Sequence, residues 1–184
     1  MNVVTLIGSL RAGSHNRQLA EAAAALLPAG SHVANVDFST LPFYSEELDV
    51  EGQTPTSVQK LRQEIAAADA VIVATPEYNG SLPGGLKNAI DWASRPYGRG
   101  SLTGKPVLVL GASMSPYAAK WARGDAVRAL GVAGAKPIDD TVGLGSSHEV
   151  FAGGQALPDE TAEALRAGVA SLVVAVAEAN LQAA

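Results

Sequence analysis

"AVIVATPEYNGSLPGGLKNAIDWA", residues 70–93, decides how the chain is read. Its opening run, Ala70 to Thr75, is apolar or β-branched throughout, as in a strand covered on both faces. From Gly84 to about Ala93 the pattern is helical. Between them Pro76, Pro83 and the glycines at 80, 84 and 85 force an irregular path that exposes backbone N–H and C=O groups beside an aromatic surface, Tyr78.

The same alternation extends both ways. Upstream lie "VVTLIG" (3–8), a helical pattern from about Asn16 to Leu27, "HVANVDF" (32–38), a loop and a helix from about Thr56 to Ala68. Downstream come "PVLVLGA" (106–112), a helix within Tyr117 to Leu130, "AKPIDDTV" (135–142) and a last helix from about Asp159 to Ala179. Five strands and five helices in β-α order imply right-handed crossovers and a parallel sheet with helices on both faces. The expectation is one α/β domain over residues 1–184.

Composition agrees with a folded unit: of 184 residues, 47% are hydrophobic and 17% charged. The net charge of −5 gives no general attraction to phosphate backbones or anionic lipid, so neither nucleic acid nor a membrane is the expected partner. The absence of cysteine excludes disulfides, thiolate nucleophiles and Cys-ligated metal centres. "MNVVTLIGSLRAGS" has no basic leader and too short an apolar run for a signal segment, which points to the cytoplasm. "AGVASLVVAVAEAN" (167–180) is interrupted by polar residues and suits a docked terminal helix.

In such sheets ligands bind outside the carboxyl ends of the strands, and three turns qualify. The first, "GSLRAGSHNR" (8–17), offers Ser9, Ser14 and Asn16 as hydrogen-bond donors, successive backbone N–H groups, a helix N-terminus and the Arg11 cation. That set suits a terminal monophosphate, against the alternative of an ordinary capped turn. The second is the opening corner, Thr75 to Gly85. The third, "GASMSPY" after residues 106–112, brings Ser113 to the same end. Phosphate at one turn and a planar ring at the other two describe FMN. Competing signatures fail on spacing: there is no G-x-G-x-x-G at Gly8, Pro106 stands where "GRGSLTGKP" would need a magnesium-binding hydroxyl, and Ser115 replaces the second glycine of G-x-S-x-G.

The stretches "GSLRAGSHN", "PEYNGSLPGGLKNAIDWASR" and "GKPVLVLGAS" together resemble the NAD(P)H-dependent FMN reductase family, whose relatives include quinone, chromate and azo-dye reductases. The resemblance implies a flavodoxin-like sandwich with strand order 2-1-3-4-5. It assigns the flavin phosphate to Ser9, Arg11, Ser14, His15 and Asn16, and the isoalloxazine to Pro76, Glu77, Tyr78, Asn79 and Gly80. It implies FMN as cofactor, NAD(P)H as donor, a small oxidant (flavin, quinone, azo compound or metal oxyanion) and a homodimer or homotetramer. After Ser113 the chain reads "MSPYAAKWARGD" where the family often has glycines.

Two readings stay open for Leu86, Ile90 and Trp92: core packing within one chain, or contact with a second subunit. Lys87, Arg95 and Arg123 read as solvated charges or ion-pair partners, Glu77 and Asp91 show no sign of converging as an acid–base pair, and His32 and His148 lack a third metal ligand. The expected chemistry is hydride transfer through FMN in two ping-pong half-reactions with no catalytic side chain. The competing class is a non-catalytic FMN-binding electron carrier or regulatory module.

Overall fold

In the computed structural model, which describes residues 1–183, the strands are β1 (Asn2–Ile7), β2 (His32–Asn35), β3 (Ala70–Thr75), β4 (Pro106–Ala112), β5 (Lys136–Pro137) and β6 (Val142–Leu144). The helices are α1 (His15–Ala24), α2 (Thr56–Ala67), α3 (Gly84–Ala93), α4 (Lys120–Val132), α5 (Ser147–Ala152) and α6 (Asp159–Ala183). The sheet is parallel in the order β2-β1-β3-β4-β5, with β6 also pairing with β4. The flavodoxin-like order is therefore the one present.

Two expectations change. The single strand anticipated over 135–142 divides into β5 and β6, because the chain leaves β4 after Ile138 and returns at Val142. Ile138 N–H still donates to the Val107 carbonyl at 2.9 Å, and Pro137 takes the position whose N–H would face the open edge; the intervening Asp139 and Asp140 are exposed. A sixth helix, the short α5, follows β6 where the sequence reading has none.

The period of two along a strand explains why the central strands are apolar throughout. Val71 and Val73 of β3 join Val107 and Val109 of β4 in a core with Leu61, Ile65, Leu86, Ile90 and Trp92. Ile72, Leu108 and Leu110 point the other way, into a core with Leu19, Leu165 and Leu172. Both faces of the sheet are covered.

Leu86, Ile90 and Trp92 of α3 belong to the first core, at 0, 2 and 0% exposure. The reading of these three as an intersubunit face is thus corrected: α3 lies directly on the sheet, and its indole donates to the carbonyl of Pro42 at 2.8 Å. Asn88 adds a clamp, accepting from Tyr44 N–H and donating to the same Pro42 carbonyl, so that α3 holds the long loop after β2.

Helix α6 is long and apolar enough to cross a bilayer by length and composition. Its Leu165, Val169, Leu172 and Val176 pack in the second core against β4 and β6.

Candidate active site

The three turns singled out in the sequence meet at the carboxyl ends of β1, β3 and β4. They enclose a cleft of about 270 Å³ lined by Ser9, Arg11, His15 and Asn16, by Pro76, Glu77 and Tyr78, and by Ala112, Ser113, Met114 and Ser147. A larger groove of about 640 Å³ runs between α3 and α4 and shares only the far end of the second turn, Ser81, Leu82 and Gly84, with none of the residues that line the cleft.

The first turn is built to receive an anion. Gly8 N–H donates to the Ala74 carbonyl at 2.8 Å, and Arg17 N–H to the Ser14 hydroxyl that caps α1. Among the described residues, no backbone N–H from Ser9 to Asn16 has an acceptor. Such a run of free donors at the start of a helix is an anion cradle by geometry and by the helix dipole. Arg11 is exposed, lines the cleft and has no carboxylate partner among the described residues. The Ser9 hydroxyl, on a residue only 4% exposed, likewise has no partner there.

Other members of the turn are engaged inside the fold, which narrows the roles expected of them. Ser14 is a helix cap, not part of the cleft lining. Asn16 lines the cleft, but its amide grips the main chain of Ala112 on both sides. His15 Nδ1 lies 2.9 Å from the Ser147 hydroxyl, and its ring is 5.4 Å from that of Phe151. Burial first, then the charges of Arg11 and His148, hold its pKa below the usual 6.5, so the ring is neutral at pH 7.

In the second turn Tyr78 and Ser81 exchange backbone hydrogen bonds at 3.0 and 3.1 Å. Asn79 and Gly80 between them have φ of 52° and 76°, the two positive values of a tight type I′ turn for which Asn-Gly is the preferred pair. The backbone N–H groups of Glu77, Asn79 and Gly80 have no acceptor among the described residues, which leaves edge donors for a flat heterocycle. Asn79 and Gly80 themselves form the exposed tip and do not line the cleft.

Glu77 and Asp91 do not converge: Glu77 Oε2 accepts from the N–H groups of Trp121 and Ala122, while Asp91 pairs with Lys87 at 2.6 Å. Arg123, read from sequence as a surface charge, is instead partly buried, donating to the carbonyl of Ala118 and the hydroxyl of Thr141. Burial lowers its pKa and the nearby Glu77 carboxylate opposes that shift.

Sequence reading missed Ala112, Met114 and Ser147. Ser147 comes from a fourth turn, "GSSHE" after β6, and the rule that selected the other three applies to it equally once β6 is recognised as a separate strand. Its N–H donates to the carbonyl of Ser113, which joins the third and fourth turns.

Comparison with known proteins agrees with this geometry. The chain is 44% identical over 114 residues to the 2-hydroxy-1,4-benzoquinone reductase of a Burkholderia species, covering 62% of this chain and 61% of that protein. It is 45% identical over 115 residues to the quinone reductase of Escherichia coli strain K12, covering 62% and 61%. These matches thus span about three fifths of the length of the curated relatives. Among solved structures, FerB, a flavoenzyme NAD(P)H:(acceptor) oxidoreductase from Paracoccus denitrificans, superposes with a TM-score of 0.83 at 32% identity over 96% of this chain and 97% of that one. A family model described as NADPH-dependent FMN reductase matches residues 1–149, a span holding all four turns, and the chain belongs to that family.

Proposed function

We propose that the chain, acting as one FMN-binding domain over 1–184, is an NAD(P)H-dependent FMN oxidoreductase that reduces flat small-molecule acceptors of the quinone or flavin type. The observation that carries this reading is the meeting, in one cleft, of an unpartnered run of N–H groups with Arg11 and of a ring-edge loop. The residues fit the cofactor: the cradle from Ser9 to Asn16 and the Arg11 guanidinium suit a dianionic phosphate, and the Glu77–Gly80 amides suit the polar edge of a fused ring.

When bound, FMN supplies the redox chemistry, taking hydride from a nicotinamide and passing electrons to an acceptor in separate half-reactions. The protein binds and orients. Pro76 and Tyr78 form one wall, Ala112 to Met114 the other, and the tip at Asn79 and Gly80 stays outside, leaving the cleft open for one flat substrate at a time. No ionisable side chain is needed as acid or base, since Glu77 is held by α4 and Asp91 by Lys87. Azo compounds and metal oxyanions are further acceptors in this reading, with the protein cytoplasmic and a homodimer or homotetramer.

Titration of the flavin-free protein with FMN and FAD, followed by anaerobic addition of NADH or NADPH, tests the proposal. Preference for FMN and bleaching of its absorbance are expected. Equal or tighter FAD binding overturns the phosphate cradle. Bound FMN that resists both nicotinamides but accepts electrons from a protein reductase replaces the enzyme with an electron carrier.

A further inference from the structure

We infer that Glu77 is a positioning residue: its carboxylate latches the loop 75–85 to the entry of α4 and thereby fixes the two walls of the cleft relative to one another. Glu77 lines the cleft, yet Oε2 accepts the N–H of Trp121 at 2.9 Å and of Ala122 at 3.1 Å. These amides open α4, whose own N-cap residue, Ala119, has no side-chain oxygen to satisfy them. A carboxylate from another loop performs that task and meets the positive end of the helix dipole.

The segment it holds is unusual in its backbone. Ala118 and Ala119 both have positive φ, 55° and 53°, a conformation that L-residues other than Asn and Asp seldom adopt and that persists only where the surroundings impose it. Arg123 is the second restraint. Its Nε donates to the Ala118 carbonyl at 3.0 Å and Nη1 to Thr141 Oγ1 at 2.6 Å. Its side chain passes over Gly111 and Gly143, where a Cβ would stand 2.8 Å from Arg123 Cγ and 2.7 Å from Nη2. Glycine at both positions leaves room for the side chain where it lies. Glu77 and Arg123 thus grip the residues joining Met114, in the cleft wall, to α4.

The same segment carries Tyr117 and Trp121, whose rings are 5.5 Å apart and which are 61 and 53% exposed. Glu77 therefore sets both the separation of the cleft walls and the placement of this aromatic pair beside them. The effect on flavin rests on the function proposed above; the latch itself does not.

The chain has two tryptophans, and Trp92 is fully buried, so acrylamide quenching reports chiefly on Trp121, while fluorescence anisotropy contains both emissions and is assigned to Trp121 by difference from Trp121→Phe. Glu77→Ala is expected to raise quenching and lower anisotropy without flavin, and to weaken FMN on the order of tenfold, the size of coupling expected between contacting residues. Glu77→Gln keeps an acceptor oxygen in place and should recover most of both. Glu77→Ser, too short to reach α4, should behave like Glu77→Ala and serves if that variant does not fold. Wild-type quenching and anisotropy in either truncated variant overturn the latch. So does a Glu77→Gln protein as impaired as Glu77→Ala, which would make charge rather than positioning the role of this residue. If the wild type itself fails to bind FMN, the function proposed above falls while the tryptophan measurements still decide the latch.

Discussion

Asn16 clasps the main chain of Ala112: Nδ2 donates to its carbonyl at 3.0 Å and Oδ1 accepts its N–H at 2.8 Å. Both residues are buried, at 3% exposure each, so this one side chain joins the start of α1 to the end of β4 and continues the ladder on the side where β3 has ended at Thr75, while β6 still pairs with Ala112 on the other. Asn16→Ala leaves a buried N–H and a buried carbonyl without partners and should cost about 2–4 kcal/mol of stability, read from denaturant unfolding. A loss under about 0.5 kcal/mol, the size of an ordinary surface substitution, would refute the clasp.

Arg11 stands in contrast, exposed and free of ion pairs among the described residues. Arg11→Ala should leave the unfolding transition in place while weakening FMN by about 1.5–3 kcal/mol, roughly 10- to 150-fold in Kd. Unchanged affinity with an intact fold would make Arg11 a bystander.

The left-handed Ala118 offers a change in the opposite direction. Ala118→Gly removes the Cβ that makes φ of 55° unfavourable and should stabilise the protein by about 0.5–1 kcal/mol, net of the entropy glycine adds to the unfolded chain. Thermal unfolding checks it: a lower melting temperature would mean that the Ala118 methyl contributes more by packing than it costs in strain.

His15 gives stability a pH dependence whose sign follows from its lowered pKa. The unfolded chain takes up a proton near 6.5 and the folded chain only below that, so the contribution is complete above 6.5 and is lost as pH falls from there through the folded-state value. His15→Gln should flatten this part of the profile. An anion in the cleft pulls the pKa back up, so FMN should bind more tightly as pH falls through the same window. NMR titration of the His15 ring, with and without FMN, measures both shifts, and a folded-state value above 6.5 in the free protein would reverse the argument.

If one open face serves donor and acceptor in turn, initial rates with varied NAD(P)H at several fixed quinone concentrations should give parallel double-reciprocal lines. Gly80→Val should depress both half-reactions. A Cβ at Gly80 meets nothing within 4 Å, so the loss arises from a φ of 76° that valine resists and not from steric blockage. Arg166→Ala, on the distant α6, is the control. Intersecting lines would show donor and acceptor bound together.

The apolar runs at 70–75 and 106–112 and the helical pattern of 84–93 are local properties of the chain, and they determined the parallel α/β sheet with its loops at the carboxyl edge. Asn79-Gly80 likewise names its own turn, because the type I′ geometry depends on two adjacent residues. The tertiary structure alone decided which polar groups remain free. The cap that Ser14 places on α1 is local and open to a sequence reading, but Ser9, His15 and Asn16 are equivalent candidates there, and only the fold brings His15 to Ser147 from 132 residues away and Asn16 to Ala112. Glu77 and Arg123, charges on a loop and a helix in the sequence, become neighbours only when α4 docks beside β4. Hydrogen-bond partners distant along the chain leave no periodic trace, since periodicity records which face of an element is buried and not what its polar atoms meet.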